Sequence, residues 1–156
     1  MPVTQQHPDY QKYLPVWTQT RDAVKGSRAI KEKKYEYLPV PDNQSGDERK
    51  GYKQYLKRAL FTNFTGRTKN ALVGAAFRKD PVCELPDGLD YLKMDATGDG
   101  LSLSQLSKDE LSNLLETGRT AFLVDYPQAP DGLTIEQTEI LQLKAAIIPY
   151  TAEQVV

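Results

Sequence analysis

The most constraining feature of this sequence is a helix signal marked at both ends and followed at once by a strand signal. Ser102 and Gln105 have the spacing of a capping box, in which each end of the box satisfies a free backbone amide. Gly118 stands where a helix closes on a left-handed residue. Residues 120–125 are apolar and partly β-branched, which is typical of a strand. The sequence therefore predicts a helix and a strand joined by a short turn.

Further helix and strand signals surround this pair. Thr134 and Gln137 form a second capping box, which predicts a helix through Lys144. Strands are predicted at residues 146–150 and, more briefly, at residues 82–85. The order of these elements predicts an α+β fold in which several amphipathic helices pack with a small mixed sheet.

The first third of the chain is polar and rich in proline and tyrosine. A short helix is predicted after Pro8 and a longer one at residues 15–24. Residues 39–47 have the composition of a loop. We therefore divide the chain into an N-terminal helical or extended segment, residues 1–45, and an α+β domain, residues 46–156.

Helical periodicity is clearest in the middle of the chain, where a helix is predicted at residues 51–60. Its apolar face consists of Tyr52, Tyr55, Leu56, Ala59 and Leu60. A second helix is predicted from about Arg67 and is stopped by Pro81. Its apolar side consists of Leu72, Val73, Ala76 and Phe77. Arg78 and Lys79 are expected in its last turn, where cations complement the helix dipole.

Charge is balanced over the whole chain but segregated along it. The net charge is -1, from 20 basic and 21 acidic residues, so attraction to nucleic acid or to an anionic membrane is not a global property. Residues 49–79 carry nine basic side chains and no acidic one, whereas residues 80–116 are mostly acidic. This polarity suits head-to-tail contact between copies, and it equally suits two separate solvated faces.

The apolar content is low for a domain with a self-contained core. Hydrophobic residues are 39% of the chain and the mean hydropathy is -0.57. We therefore expect surfaces that are meant to be covered by neighbouring subunits.

Few residues are suited to catalysis. Cys83 is the sole cysteine and His7 the sole histidine, which excludes an internal disulfide and a metal cluster of several histidines within the chain. Because His7 precedes a proline near the start of the chain, we expect no Ser-His-Asp triad. Asp109 and Glu110 point to different sides of the predicted helix, and both are expected to be solvated. No signal peptide is recognised, and no apolar run approaches the ~20 residues of a membrane helix. The sequence predicts an intracellular protein that is not an enzyme, uses no cofactor and has no membrane partner.

One segment resembles the start of a calcium-binding loop. Asp95, Thr97 and Asp99 occupy the first three ligand positions, but Ser102 and Leu106 stand where an apolar residue and a bidentate glutamate are needed. Asp95, Thr97 and Asp99 are therefore weak candidates for a metal site, and a glycine-containing turn before a capped helix is the preferred interpretation.

Seven cations are the candidates for contact with DNA or with an acidic partner. They are Lys53, Lys57, Arg58, Arg67, Lys69, Arg78 and Lys79. Cations neutralise phosphates and aromatic rings stack on bases, so residues 51–69 could form a small nucleic-acid-binding module. The tyrosines of this segment have the spacing of a buried face, which fits the presentation of cations to an acidic protein equally well.

A series of short phrases resembles, in the same order, the N-terminal part of a portal-protein family of tailed bacteriophages and prophages. The phrases comprise residues 7–10 with Trp17, Arg21 and Asp22, residues 52–61, Asn63, Thr65, Arg67 and Thr68, residues 72–74, residues 77–79 before Pro81, Leu114, Leu115, Gly118 and Arg119, residues 123–127, and Pro149, Tyr150, Ala152 and Glu153. The likeness covers nearly the whole chain, although no single phrase is a catalytic signature.

This resemblance implies a structural virion protein. Portal proteins form rings, typically dodecameric, at one capsid vertex, and terminase drives DNA through the ring during packaging. The resemblance implies copies of the same chain, capsid and head-completion proteins and terminase as partners, and the virion and host bacterial cytoplasm as locations. The phrase ending at Tyr150 resembles the wing region. Family members are several times longer, so the stem and clip are expected beyond residue 156.

Overall fold

A computed structural model describes residues 6–41, 48–130, 132–141 and 143–155. The chain forms two compact units, Met1–Leu72 and Val73–Val156. The boundary predicted between residues 45 and 46 lies outside the described residues.

The first unit is helical. It contains α1 (Pro8–Lys25), α2 (Ser27–Glu32), a 3-10 turn (Lys34–Glu36) and α3 (Glu48–Arg58). Helix α4 (Phe64–Ala76) begins in this unit, and its residues 73–76 belong to the second unit. The buried apolar side chains of the first unit include Tyr10, Trp17, Ile30 and Tyr52.

Helix α1 is continuous where the sequence predicted two helices, and Pro15 lies inside it. An internal proline costs a helix about 3 kcal/mol because it removes one hydrogen bond and crowds the preceding turn. Tyr10 and Trp17 lie on either side of Pro15 and are both buried, with their rings edge to face at 5.9 Å. Burial of both rings holds the two halves of α1 against the same core, and this tertiary packing offsets the cost of the proline.

Asn63 fixes the start of α4. Its side-chain oxygen accepts a hydrogen bond from the Gly66 amide at 2.7 Å, and its amide nitrogen donates to the Val24 carbonyl at 2.7 Å. A Cβ on Gly66 would lie 2.7 Å from the Asn63 nitrogen, so glycine provides the room for this cap. Because of this cap, α4 begins at Phe64 rather than near Arg67 as predicted, and Gly66 is absorbed into the helix.

Two predicted helix ends lie too far along the chain. Helix α3 ends at Arg58, so Leu60 leaves the predicted apolar face and is 95% exposed. Helix α4 ends at Ala76, so Arg78 and Lys79 follow the helix instead of occupying its last turn. The predicted dipole interaction of these two cations is therefore wrong.

The second unit combines helices with a small sheet, which confirms the α+β fold. Its elements are a 3-10 helix (Asp87–Lys93), α5 (Leu103–Thr117), β1 (Thr120–Asp125), α6 (Ile135–Ile140), β2 (Ala146–Thr151) and a 3-10 turn (Ala152–Gln154). Residues 82–85 are described and have no regular secondary structure, so the strand predicted there is wrong. Helix α6 ends at Ile140, before the predicted end at Lys144.

The helix caps predicted in this unit are largely confirmed. Gly118 ends α5 with a left-handed φ of 70°. The Ser102 hydroxyl accepts a hydrogen bond from the Gln105 amide at 3.2 Å, but the Gln105 side chain donates to Asp109 instead of returning to Ser102. At Thr134 both halves of the capping box are formed with Gln137.

The sheet is a two-stranded antiparallel pair, not the mixed sheet that was predicted. Its register runs from Thr120 opposite Thr151 to Asp125 opposite Ala146. Beyond the pair, the Ile147 amide donates to the carbonyl of Ala96 at 2.8 Å. The turn before α5 therefore attaches to β2.

Glu110 is buried at 7% exposure, which corrects the expectation that it is solvated. One carboxylate oxygen accepts a hydrogen bond from the Asn113 side chain at 3.1 Å, and the other accepts from the Thr120 hydroxyl. These donors replace the water that a buried carboxylate loses. Glu110 thereby joins α5 to the start of β1.

Candidate interaction surfaces

Helix α3 presents cations on its exposed side. Lys53, Lys57 and Arg58 are all exposed, and the four-residue spacing of the two lysines puts them on one side of the helix. None of the three side chains forms an ion pair with a described residue. We call Lys53, Lys57 and Arg58 the α3 cations. They are free to meet phosphate or carboxylate groups of a partner.

The tyrosines of α3 are used within the unit. The Tyr52 hydroxyl donates to the Leu38 carbonyl at 2.8 Å, and the Tyr52 ring stacks on Tyr35 at 4.5 Å and contacts Tyr55 at 6.0 Å. Burial, followed by the neighbouring Tyr35 and Tyr55 phenols, raises the pKa of Tyr52. Because Tyr52 is only 4% exposed, its ring is not available to stack on a base.

The other predicted cations do not extend this surface as one set. Arg67 is exposed on α4, whereas Lys69 is half-buried and interacts within the protein. Arg78 and Lys79 are exposed but belong to the second unit. The structure thus groups the first five candidates in one unit and the last two in the other.

An apolar groove lies in the first unit, close to the end of α3. Its volume is about 270 Å³. The lining residues are Gln19, Ala23, Ile30, Lys31, Tyr37, Leu38, Ala59, Leu60 and Phe61. Lys31 donates from its ammonium group to the Lys57 carbonyl at 3.3 Å, which closes the C-terminal end of α3 with a cation. An exposed apolar groove beside free cations has the composition of a protein-contact surface.

A buried carboxylate beside the groove was not predicted. Asp22 is 7% exposed, accepts a hydrogen bond from the Tyr37 hydroxyl at 2.9 Å and lies 3.7 Å from the Lys33 ammonium group. Burial, the hydrogen bond to Asp22 and the charge of Asp22 together raise the pKa of Tyr37 to about 12. The one sequence signal for Asp22 was that it belongs, with Trp17, to the phrases that resemble the portal family. Its partner Tyr37, 15 residues away, has no local pattern that reveals the contact.

The weak metal candidates form a hydrogen-bonded turn. One Asp95 oxygen accepts from the amides of Gly98 at 2.8 Å and Gly100 at 2.9 Å, and the Thr97 hydroxyl accepts from the Asp99 amide at 3.4 Å. Asp95 therefore closes this turn. Among the residues with described positions, no group of three or more histidine, cysteine, aspartate or glutamate side chains could hold a metal ion.

Cys83 is exposed and lines a groove of about 460 Å³ in the second unit. Lys93, which also lines the groove, pairs with Asp90 at 2.8 Å. A cysteine becomes a strong nucleophile when a neighbouring cation or base stabilises its thiolate. Among the described residues, Cys83 forms no hydrogen bond or ion pair.

No family model matches this chain, and no curated protein matches it. None of the helices in the described ranges is long and apolar enough to cross a membrane.

Proposed function

We propose that this chain is a structural virion protein, the N-terminal, wing-like part of a phage portal, whose work is contact between proteins rather than catalysis. The observation that carries the proposal is the order of short portal-like phrases from His7 to Glu153. In this proposal the chain acts in the virion and in the host bacterial cytoplasm, with copies of itself, capsid and head-completion proteins and terminase as partners.

The roles of the phrase residues support a scaffold. His7 accepts a hydrogen bond from the Asp9 amide and so caps α1, and Trp17 lies in the core of the first unit. Asp22 is the buried acceptor of Tyr37, and Asn63 joins α1 to α4. These side chains fix helix ends and core contacts, and His7 is the exposed member of the four.

Exposed apolar side chains support a protein that is covered by neighbours. Leu60 is 95% exposed, Val82 91% and Met94 78%, and no large side chain among the described residues is fully buried. Subunits of obligate assemblies place such side chains in their interfaces.

The test is genetic and uses a bacterial strain whose genome carries the gene. Deletion of the gene should leave phage heads without DNA after induction, and the wild-type gene supplied on a plasmid should restore DNA-filled particles. Quantitative mass spectrometry of purified particles should then find this chain at the copy number of one vertex ring. Normal DNA-filled particles from the deletion strain would contradict the proposal.

A second candidate function is nucleic-acid binding through the α3 cations, which are exposed and unpaired within the described structure. Since binding to phosphates releases counterions, affinity for DNA should fall steeply with salt. Replacing Lys53 and Lys57 with glutamine should reduce the slope of log affinity against log salt by about 2. Lys108→Gln, an exposed lysine on α5, should leave it unchanged. A slope insensitive to the double substitution would exclude this surface as the DNA contact.

A further inference from the structure

One edge of the two-stranded sheet is covered and the other is open. The Ile147 amide donates to Ala96, so the turn before α5 occupies the outer edge of β2. Ile147 lies opposite Val124 in the register. Along an antiparallel strand, the backbone N–H and C=O groups of successive residues point alternately toward and away from the partner strand. The Ile147 groups point away from β1, so the groups of Val124, opposite Ile147, point away from β2. We call groups that point away from the partner strand outward.

The same alternation assigns the outward groups of β1 to Thr120, Phe122 and Val124. The position of Pro149 agrees with this assignment, because Pro149 lies opposite Phe122. Proline has no backbone N–H, and at an outward position this removes no hydrogen bond between β1 and β2. In the described structure, these three residues of β1 make no backbone hydrogen bond outside the strand pair. The outer edge of β1 therefore offers three open pairs of backbone donors and acceptors.

Three apolar side chains in the middle of β1 are also exposed. Phe122 is 51% exposed, Leu123 49% and Val124 68%. Since neighbouring side chains of a strand point to opposite faces, both faces of β1 expose apolar groups. A strand with apolar side chains on both faces is typical of the interior of a sheet, and an open apolar edge is a template for another strand.

We propose that β1 pairs antiparallel with β1 of a second copy of this chain, about a two-fold axis at Phe122. In this register Phe122 lies opposite Phe122 of the second copy, and Thr120 lies opposite Val124 at each end. Every outward group of both strands then meets its complement, because each of these pairs exchanges two hydrogen bonds. The result is a four-stranded sheet in the order β2, β1, β1, β2.

Charge complementarity identifies the second copy as the partner. The same register sets Arg119, immediately before β1, opposite Asp125 of the second copy, and the two-fold axis repeats this pair at the other end. Both side chains are exposed, and neither has an ion-pair partner among the described residues. Opposite charges directly across two strands stabilise their pairing. Moving the second copy by two residues in either direction removes both ion pairs.

This proposal does not depend on the portal function, since it follows from the sheet alone. The paired segment is short, so the dimer is expected to be weak. Its association should therefore be measured over a wide range of protein concentrations. Sedimentation equilibrium should show the 17.6 kDa chain associating to twice that mass. A chain that stays monomeric up to about 1 mM, where binding is worth only about 4 kcal/mol, would overturn the proposal.

Charge substitutions test the register. Arg119→Glu alone, or Asp125→Arg alone, sets like charges opposite each other at both ends and should weaken the dimer at least tenfold. An equal mixture of the two variants should restore it as a heterodimer, because every pair across the axis is then again of opposite sign. Equal affinities for both single variants, their mixture and the wild type would overturn the register.

A proline tests the backbone edge without breaking the hairpin. Val124→Pro removes an outward amide that β2 does not use, so far-UV circular dichroism should be unchanged while the dimer is lost. In the wild type, amide exchange at Phe122 and Val124 should slow as concentration rises. Exchange at Leu123, whose amide faces β2, should not depend on concentration. A two-fold dimer that survives Val124→Pro would assign the dimer contact to another surface and overturn the proposal.

Discussion

At the scale of single residues, the contact between Tyr37 and Asp22 makes stability depend on alkaline pH. The unfolded chain has a tyrosine pKa of about 10, whereas the folded protein holds Tyr37 at about 12. Tyr37 therefore binds its proton more tightly in the folded state. Its stabilisation is complete below pH ~10 and is lost as the pH rises from about 10 through about 12.

Tyr37→Phe should remove this part of the alkaline transition and cost about 1 kcal/mol at neutral pH, because Asp22 loses a donor. Fluorescence of Trp17, the only tryptophan and a buried residue of the same unit, measures urea unfolding at each pH. Tyr126→Phe removes an exposed phenol of the other unit and should leave the Trp17 curve unchanged. The prediction fails if wild type and Tyr37→Phe lose stability equally between pH 10 and 12.

At the scale of elements, two glycines of the second unit should respond to the same substitution with opposite signs. Gly118 ends α5 at a φ of 70°, whereas Gly74 lies in helical conformation near the end of α4. Apart from the adjacent residues and the helix's own backbone, no heavy atom at either position lies within 4 Å of where a Cβ would be added. The substitutions therefore differ in backbone conformation and not in crowding.

Gly118→Ala should destabilise the unit by about 1 kcal/mol, because a left-handed conformation costs a residue with a Cβ that much. Gly74→Ala should stabilise it by about 0.5 kcal/mol through the lower entropy of the unfolded chain. Thermal unfolding followed by circular dichroism at 222 nm, a helix-sensitive wavelength, compares the two. A loss of stability in Gly74→Ala would contradict this prediction and would mean that the side of α4 that carries Gly74 is covered by other residues.

The elements that the sequence predicted well have signals within a few residues of one another. The cap at Ser102, the stop at Gly118 and both strands needed only local pattern. What the sequence missed depends on contacts far along the chain. Pro15 is tolerated in α1 because Tyr10 and Trp17 are buried together, and the burial of Glu110 depends on Thr120 from the following strand.

The candidate surface follows the same division. Exposure of the α3 cations could be predicted from helical spacing, since Tyr52 on the opposite side is buried. The early end of α3 could not be predicted from this spacing. Because of it, Leu60 is not a core residue, and it is the most exposed large apolar side chain among the described residues. Asp22 and Tyr37 meet only after the chain has folded through α2.

At the scale of the whole molecule, segregated charge predicts how copies associate. Residues 49–79 are basic and residues 80–116 mostly acidic, so head-to-tail contact sets opposite charges together. The Debye length falls from about 30 Å at 0.01 M salt to about 3 Å at 1 M, so such contact should weaken with salt. Light scattering after gel filtration should therefore find larger assemblies at low salt.

Charge reversal separates this contact from other modes of association. Lys53→Glu with Lys57→Glu should weaken the large assemblies, because it leaves residues 49–79 with seven basic and two acidic residues in place of nine basic ones. Lys12→Glu with Lys25→Glu changes the net charge equally, from exposed positions on α1, and should preserve them. A salt-sensitive ring would support the portal proposal and assign ring contacts to these residues. A particle whose mass is unchanged by salt and by the two α3 substitutions would contradict head-to-tail contact, because attraction between these segments weakens with screening and with loss of positive charge.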